Sequence, residues 1–307
     1  MQKIICIAGP TASGKTGFSI ELAKKYNGEI ISADSMQIYK GMDIGTAKPT
    51  NEEMQGIAHH MISVCDADKE YSVSKYVEEA SLIINEVTAR GKLPIVCGGT
   101  GLYMDNLVRG GSFAPNPSDT EIRQKINEFT QQNGAQALYD ILVEKDPESA
   151  KKLHVNDVKR VGRALEVLYL TGRSISEHNE STKDAPKRFD ALFIGLCYSN
   201  REELYERINL RVDMMMKDGL LDEVKGLLKV MDKTSLQAIG YKELVEYLNG
   251  EITLEEATEL IKQNSRRYAK RQMTWFKRNE NVNWLDRSVL SDSEVFEKMC
   301  KLTEKFL

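Results

Sequence analysis

An α/β fold is predicted for this chain, with a parallel sheet flanked by helices and an all-helical insertion. Residues 9–16, GPTASGKT, fit G-x-x-x-x-G-K-[ST] at every fixed position, as in a P-loop NTPase-like core. Apolar strands alternate with helices through residues 3–110, whereas residues 118–180 show only helical patterns. Strand–helix alternation is typical of parallel sheets with helices on both faces, and such sheets bind ligands at the carboxyl ends of their strands.

Four strands are predicted in the first third of the chain. An apolar run at residues 4–8 precedes the glycine-rich loop, and apolar residues at helical spacing follow it. A helix is predicted over residues 72–91, with Ser72 as its N-cap and Gly91 as its C-terminal stop. The other three predicted strands cover residues 29–34, 59–65 and 93–99.

The pattern changes at residues 110–119, where glycine and two prolines interrupt the strands and helices. The residues that follow are typical of helices only. Ser118 and Glu121 have the spacing of a capping box. Further along, Asn156 is predicted to cap a helix that ends at Gly172.

The sheet is predicted to resume after the helical region, with a single late strand at residues 190–198. Long helices follow, one over residues 200–229 and one opened by the capping-box spacing of Thr253 and Glu256. This organisation predicts a catalytic core and a helical insertion, formed respectively by residues 1–112 with 188–307 and by residues 113–187.

The composition excludes several classes of protein. The chain has 307 residues and a net charge of −4, so any polyanion must be bound by local basic patches. Five cysteines without a C-x-x-C pair argue against a disulfide framework or a zinc site and suit a reducing compartment. No apolar run has the length of a membrane span, and no signal-peptide pattern is present. We therefore expect a cytoplasmic protein without membrane contacts, acting as a monomer.

The glycine-rich loop has the residues that a phosphate-binding loop needs. Its glycines let backbone N–H groups turn towards an anion, and the N-terminus of the following helix adds partial positive charge. Lys15 is expected to neutralise a terminal phosphate, and the Thr16 hydroxyl to bind Mg²⁺. The predicted diphosphate- or nucleotide-binding residues are Gly9, Pro10, Thr11, Ala12, Ser13, Gly14, Lys15 and Thr16.

Two polar clusters follow other predicted strands. Asp34 comes directly after one strand, where a carboxylate can hold Mg²⁺ through water, accept a proton or simply begin an Asx-turn. Residues 34–49 lack apolar periodicity, so a bound ligand is the simplest way to hold them in place. Thr100, in GGTGLY, can hydrogen-bond a phosphate or metal-bound water, or belong to a tight turn. The groups suited to line a pocket for a base are Ser35, Met36, Gln37 and Lys48.

Basic residues are concentrated in two stretches. Residues 151–163 carry five Lys/Arg against one Asp, and residues 264–278 carry six against no acid, with Tyr268 and Trp275 interleaved. These stretches predict nucleic-acid contacts, with solvated helix faces as the alternative. Arg207 and Arg211 share a helix face, and ion pairs with nearby glutamates are the simpler explanation for Arg207.

From the residues alone, two classes of function stay open. A small-molecule P-loop kinase ranks first, because it needs only the loop and a carboxylate, although it leaves both basic stretches without a function. A non-catalytic P-loop protein that binds nucleic acid is the other class. The convergence of Asp34, Thr100 and the loop on one sheet edge favours an enzyme.

Seven stretches together resemble the bacterial tRNA dimethylallyltransferases, the IPP transferase family. In chain order they are GPTASGKT, DSMQIYKGMDIGTAKP, GGTGLY, DVKRVGRALEV, RINLRV, AIGYKE and AKRQMTWFKR, and the resemblance runs from residue 3 to about 286. It implies transfer of a dimethylallyl group from dimethylallyl diphosphate to N6 of the adenosine 3′ to the tRNA anticodon, with Mg²⁺ as cofactor. It also implies that the helical insertion binds the anticodon stem-loop.

The resemblance assigns a role to each matching residue. Asp34 is expected to be the general base or a hydrogen-bond acceptor for the N6 amino group of the adenine. Thr100 and Arg211 are expected to complete the surroundings of the diphosphate and of Mg²⁺, which Thr16 would bind directly and Thr100 through water. An isopentenyltransferase acting on free adenine nucleotide is the nearest alternative, but it leaves the helical insertion unused. The residues expected to contact tRNA are Asp34, Ser35, Met36, Gln37, Thr100, Arg123, Lys159, Arg160, Val161, Gly162, Arg163, Gln237, Gly240, Lys242, Arg267 and Arg271.

Overall fold

A computed structural model of the chain describes residues 1–110, 120–181, 186–232 and 234–307. The chain divides into two compact units, one formed by Met1–Val108 with Arg188–Leu307 and the other by Arg109–Lys187. The predicted boundary between residues 112 and 113 and the predicted N-cap Ser118 fall outside the described residues.

The first unit contains a sheet of six parallel strands in the order β3-β2-β4-β1-β5-β6. In the central register Ile5 lies opposite Ile95 on one side and Leu192 on the other. The predicted α/β class with a parallel sheet is confirmed. The strands are β1 (Lys3–Ala8), β2 (Gly28–Ser32), β3 (His59–His60), β4 (Leu93–Gly98), β5 (Asp190–Cys197) and β6 (Val282–Asp286).

Helices pack on both faces of this sheet. Ile5 and Ile7 belong to an apolar cluster with residues of α1 and α13, whereas Cys6, on the alternate face of β1, is next to Tyr76 of α3. The Tyr76 ring stacks on Tyr103 of α4 at 4.0 Å between centroids. The described helices of this unit are α1 (Lys15–Lys25), α2 (Asn51–Met54), α3 (Val73–Ala89), α4 (Gly101–Val108), α9 (Arg201–Lys217), α10 (Leu220–Leu227), α11 (Tyr241–Leu248), α12 (Leu254–Phe276) and α13 (Asp292–Phe306), with a 3₁₀ turn at Ser235–Gln237.

Three sequence predictions for this unit are wrong in detail. The third strand has only two residues, and Cys65 forms an isolated bridge with Tyr39 instead of extending it. The predicted helix over residues 200–229 is broken at Gly219, where a φ of 102° stops α9 before α10 begins. The single late strand has a neighbour, β6, which was missed because Asn283 interrupts its few apolar residues.

The second unit is helical where it is described, with α5 (Thr120–Lys145), α6 (Pro147–Ala150), α7 (Val158–Thr171) and α8 (Ile175–Ser181). Its core includes Leu138, Leu142 and Leu165. The predicted cap of α7 is wrong by one residue, since Asp157 rather than Asn156 precedes the first turn. The predicted end at Gly172 is confirmed by its φ of 67°. None of the helices in the described ranges is long and apolar enough to cross a membrane.

Candidate active site

A cavity of about 300 Å³ lies in the first unit, next to the carboxyl ends of β1, β2 and β4. It is lined by the glycine-rich loop with the start of α1, by the segment after β2, by α9 and α12, and by the turn before α11. The predicted site residues that line it are Thr11, Lys15, Thr16, Asp34, Ser35, Met36, Gln37, Gln237, Gly240, Arg211 and Arg271.

The glycine-rich loop has the backbone shape that its glycines predict. Gly9 and Gly14 have φ values of 150° and 86°, in the region where residues with a side chain are strained. A Cβ atom at Gly9 would also lie 2.6 Å from the Leu196 carbonyl oxygen of the neighbouring strand. Helix α1 then begins at Lys15, so its N-terminal amides point towards the cavity that Lys15 and Thr16 line.

Two cations stand beside this loop. Lys15 Nζ donates a hydrogen bond to the Pro10 carbonyl at 2.6 Å, and Arg211 Nη1 donates to Thr11 Oγ1 at 3.2 Å. The pKa of Lys15 is lowered to about 8, chiefly because burial disfavours its charge; the nearby Arg211 charge contributes to the lowering, and Cys97 and the Asp34 charge oppose it. Burial also lowers the pKa of Arg211 from its ordinary value. Both cations are therefore poorly solvated, and a bound anion would be attracted to them strongly.

Asp34 begins the Asx-turn that was one of its predicted possibilities, whereas its roles as proton acceptor and as a Mg²⁺ ligand through water stay predictions. One carboxylate oxygen accepts hydrogen bonds from the backbone N–H groups of Met36 at 2.9 Å and Gln37 at 3.4 Å, which is an Asx-turn. The residue also lines the cavity, and its charge acts on both Lys15 and Arg211. The turn therefore holds the carboxylate in place without removing it from the site.

Thr100 was predicted to act together with Asp34 and Arg211, but unlike them it does not line the cavity. Its hydroxyl accepts a hydrogen bond from Ser35 N at 3.0 Å and donates to Ser35 Oγ at 3.3 Å. It is absent from the lining of the cavity, whereas Gly98 and Gly99 belong to it. In this arrangement Thr100 holds the residue after Asp34, and its predicted role beside the diphosphate stays a prediction.

The segment 34–49 is held by protein groups, so the bound ligand expected as the simplest way to hold it is not needed for this. The Gln37 amide accepts from Ser32 Oγ and donates to the carbonyls of Thr46 and Ala47 at 3.2 Å each. Lys48 is buried, and its Nζ donates to Tyr39 O, Ser63 Oγ and Asp43 Oδ1. The side-chain amide of Gln37 thus has protein partners, and Lys48 is bound to the segment itself and does not line the cavity.

Sequence reasoning missed Gln272 of α12. Its Oε1 accepts a hydrogen bond from Thr11 N at 2.9 Å, and its Nε2 donates to the Gly99 carbonyl at 3.0 Å. Gln272 is buried together with Ala269 and Phe276, which share its helix face. A glutamine on an otherwise apolar helix face is the signal that could have identified it.

Two arginines contact the back of the phosphate loop. Arg207 Nε donates to the Ala12 carbonyl at 3.1 Å, so the glutamate ion pairs expected for Arg207 are replaced by a loop contact. Arg287, after β6, donates to the Ser13 carbonyl at 2.9 Å and pairs with Asp292. No sequence signal pointed to Arg287, because it lies outside every recognisable motif.

The basic stretch of α12 divides into packed and exposed residues. Tyr268 lines the cavity, and burial raises its pKa to about 12. Trp275 donates to Asp105 Oδ2 at 2.8 Å and packs against Gly101, so its indole nitrogen already has a partner in the protein. Arg267 and Arg271 are exposed, and the Arg271 guanidinium lies 5.5 Å from the centroid of the Tyr268 ring.

In the turn before α11, Gln237 and Gly240 line the cavity, and Gly240 has a φ of 96°. Gly240 N donates to the buried carboxylate of Glu243 at 2.8 Å, so its N–H has a partner in the protein. Lys242 is exposed on α11, 3.9 Å from Glu246, and does not line the cavity.

In the second unit, the residues predicted to contact tRNA fall into three pairs. Lys159 and Arg160 are exposed on α7. Val161 is fully buried in the apolar core beside Ile126, so the prediction that its side chain contacts tRNA is wrong, and Gly162 is buried as well. The remaining two, Arg123 and Arg163, pair with the oxygens of the buried Glu166 at 2.9 and 3.1 Å.

The donors around the cavity fit Mg²⁺ bound together with phosphate. Across the described ranges of the chain, no group of three or more His, Cys, Asp or Glu residues could hold a metal ion. Mg²⁺ usually takes one or two protein oxygens, with water and phosphate oxygens completing its coordination. The Thr16 hydroxyl, which lies on the cavity, provides one such oxygen, and the Asp34 carboxylate on the same cavity can accept hydrogen bonds from metal-bound water.

At the edge of a parallel sheet, one cavity contains the phosphate loop, the buried cations and the carboxylate. This arrangement defines a P-loop α/β enzyme that acts on a phosphorylated substrate. The model of the IPP transferase family matches residues 37–279 of the chain. The chain belongs to the IPP transferase family.

Individual relatives agree over nearly the whole length. A protein of Caldanaerobacter subterraneus subsp. tengcongensis named tRNA dimethylallyltransferase is 50% identical over 301 residues, 97% of this chain and 95% of the relative. The crystal structure of a tRNA delta(2)-isopentenylpyrophosphate transferase from Staphylococcus epidermidis is 44% identical, with a TM-score of 0.73 over 99% of each chain. A eukaryotic dimethylallyltransferase acting on tRNA is 34% identical, with a TM-score of 0.86 over 100% of this chain and 79% of that one.

Proposed function

We propose that this enzyme transfers a dimethylallyl group from dimethylallyl diphosphate to N6 of the adenosine 3′ to the anticodon in tRNA, releasing diphosphate. The observation that carries the proposal is the shared cavity, which joins the phosphate loop and its two cations to the Asp34 carboxylate. Relatives named tRNA dimethylallyltransferase support both substrates.

The phosphate loop holds the leaving group. The allylic C1–O bond breaks when the negative charge that develops on the diphosphate is stabilised, and Lys15, Arg211 and the α1 amides are placed to do this. When bound beside Thr16 with the diphosphate, Mg²⁺ supplies further positive charge for the leaving group. Because Lys15 and Arg211 are poorly solvated, they favour the more negative departing diphosphate over the bound ester.

Asp34 completes the transfer. The exocyclic amine of adenine is a weak nucleophile, because its lone pair is delocalised into the ring. As the N6–C1 bond forms, one N6 proton passes to the Asp34 carboxylate, whose position the Asx-turn fixes. The adenosine must leave the base stack to reach this point, as in other enzymes that modify a base.

Apolar residues shape the remainder of the cavity. Ile208, Val212 and Met215 of α9 line it together with Ile261 of α12. An apolar wall of this kind suits a five-carbon allylic chain and excludes the water that would otherwise capture a cation-like carbon. The methionine contributes a flexible side chain that adapts to the shape of the ligand.

Exposed basic residues in both units are proposed to bind the tRNA backbone. Arg267 and Arg271 serve this role on α12, and Lys159 and Arg160 on α7. We assign the second unit to the anticodon stem-loop, and we propose that the protein acts as a monomer in the cytoplasm, where tRNA is modified.

Mass spectrometry of digested tRNA tests the proposal directly. Unmodified tRNA incubated with the enzyme, dimethylallyl diphosphate and Mg²⁺ is expected to gain one dimethylallyl group on the adenosine 3′ to the anticodon. Parallel reactions with free adenine nucleotide as acceptor, and with ATP in place of the prenyl donor, test the nucleotide transferase and kinase alternatives. No mass gain on any tRNA adenosine would refute the proposed function.

A further inference from the structure

Glu223 of α10 binds three consecutive backbone N–H groups of the segment after β2. Its Oε2 accepts from Asp43 N at 2.9 Å and Ile44 N at 2.7 Å, and its Oε1 accepts from Gly45 N at 3.0 Å. Successive amides that converge on one carboxylate form an anion-binding turn, here filled by the protein's own side chain.

The same carboxylate reaches a third element. Tyr241, the first residue of α11, donates its hydroxyl to Glu223 Oε1 at 2.5 Å and is itself fully buried. A Cβ atom at Gly45 would lie 2.5 Å from the Tyr241 ring and 2.9 Å from Leu220, so glycine is needed for this close packing. Glu223 therefore fixes residues 43–45 against both α10 and α11.

Both segments that Glu223 joins continue into the wall of the cavity. Gly45, Thr46 and Ala47 line it on one side of this junction, and Gln237–Gly240, directly before Tyr241, line it on the other. Glu223 itself does not belong to the lining. A change at Glu223 would therefore move two parts of the wall without altering Lys15, Thr16 or Arg211.

We propose that Glu223 is a positioning residue that sets the part of the cavity wall which receives the tRNA adenosine. This proposal rests on the proposed function, in which the phosphate loop holds the prenyl donor, and on the expectation that Gln237 and Gly240 contact tRNA. The diphosphate contacts lie elsewhere on the cavity, so loss of Glu223 affects the tRNA substrate and spares the donor.

The test compares Glu223→Gln with Asp222→Asn in steady-state prenylation of tRNA. In Glu223→Gln one of the two accepting oxygens becomes an NH2 group that cannot accept from the backbone N–H groups, whereas Asp222 is the adjacent residue and its side chain is exposed. We expect the KM for tRNA to rise by about tenfold in Glu223→Gln, with the KM for dimethylallyl diphosphate within about twofold of the wild-type value. Asp222→Asn is expected to match the wild type.

Tyr241→Phe keeps the three backbone contacts of Glu223 and removes only the hydroxyl. This variant therefore tests the positioning role of Glu223 even if Glu223→Gln does not fold. Its KM for tRNA is expected to rise by about threefold, again without a change for the donor. The proposal is wrong if the tRNA KM stays at the wild-type value, if the donor KM rises instead, or if only the melting temperature falls. A wild-type enzyme that does not prenylate tRNA would refute the proposed function and this inference with it, whereas an active wild type with unaffected variants would refute this inference alone.

Discussion

Gln272 and Thr11 are joined by a hydrogen bond of 2.9 Å from the backbone N–H of Thr11 to the side-chain oxygen of Gln272. The Gln272 amide nitrogen continues to the carbonyl of Gly99, and Arg211 donates to the Thr11 hydroxyl. One buried side chain of α12 thus connects the phosphate loop to the residue after β4. Thr11 is fixed at two atoms by residues far from it in sequence, so the shape of the loop depends on α9 and α12.

Gln272→Ala is expected to loosen the phosphate loop. It removes partners from the Thr11 N–H and the Gly99 carbonyl, and the KM for dimethylallyl diphosphate should rise by about tenfold. Gln263→Ala, an exposed position on the same helix, is the matched control and should behave as the wild type. Steady-state kinetics with the donor varied at saturating tRNA measures both. An unchanged donor KM in Gln272→Ala would show that the loop keeps its shape without this side chain.

Replacement of Asp34 by asparagine tests whether the residue acts through its Asx-turn or as a proton acceptor. In Asp34→Asn the remaining carbonyl oxygen can still accept from Met36 N, so the turn persists while the proton acceptor is lost. We expect kcat to fall by about 100-fold or more, with the Kd for tRNA unchanged. Single-turnover prenylation and a tRNA binding titration check the two expectations. If Asp34→Asn keeps its rate while Asp34→Ala loses it, the turn and not proton transfer is the contribution of this residue.

The pKa of Lys15 predicts how donor binding depends on pH. Burial lowers this pKa to about 8, so the free enzyme carries the positive charge below about pH 8 and loses it as the pH rises further. We therefore expect kcat/KM for dimethylallyl diphosphate to fall above about pH 8. Bound diphosphate favours the charged amine, so the decrease in kcat should begin at higher pH. Lys15→Arg keeps its charge throughout this range, and the same alkaline decrease in that variant would assign it to another group.

Local patterns in the sequence were sufficient for the phosphate loop and for the parallel sheet apart from β6 and the length of β3. Gly9, Gly14, Lys15 and Thr16 act through the backbone turn that they form themselves, so their spacing alone identifies the site. The caps at Ser72 and Thr253 are equally local, because each bonds a backbone N–H three residues on. Such features depend on neighbours in sequence and can be recognised without the fold.

Residues that act across the fold could not be recognised in this way. Gln272, Glu223 and Arg287 bind backbone atoms more than 170 residues away, and no spacing rule connects them to their partners. Val161 shows the opposite error. A resemblance that extends over a whole motif includes its core residues, so the inward-facing Val161 was predicted together with the exposed Lys159 and Arg160 of α7.

Substitutions at the adjacent residues Arg160 and Val161 are therefore expected to have different effects, one on tRNA binding and the other on stability. Arg160→Ala removes an exposed cation and should weaken tRNA binding, reducing the salt dependence of log Kd by about one unit of slope. Val161→Ala leaves a cavity in the core and should lower the free energy of unfolding by about 2 kcal/mol, with the salt slope unchanged. Binding titrations at several salt concentrations and thermal unfolding distinguish the two. Equal salt slopes for Arg160→Ala and the wild type would exclude Arg160 from the tRNA contact.

A side chain at Gly98, at the end of β4, is expected to destabilise the protein because it would meet the backbone of Ala33. A Cβ atom there would overlap the carbonyl group of Ala33, and the backbone of Ala33 is held by Cys97 O and Thr100 N at 2.8 and 3.0 Å. Neither strand can move without breaking these bonds, so Gly98→Ala should lower the free energy of unfolding by about 3 kcal/mol. Gly17→Ala is the control, because a Cβ atom at this position in α1 meets nothing within 4 Å and alanine favours a helix. Denaturant unfolding should therefore show a decrease for Gly98→Ala and no decrease for Gly17→Ala, and similar stabilities for the two would contradict the close approach of β4 to Ala33.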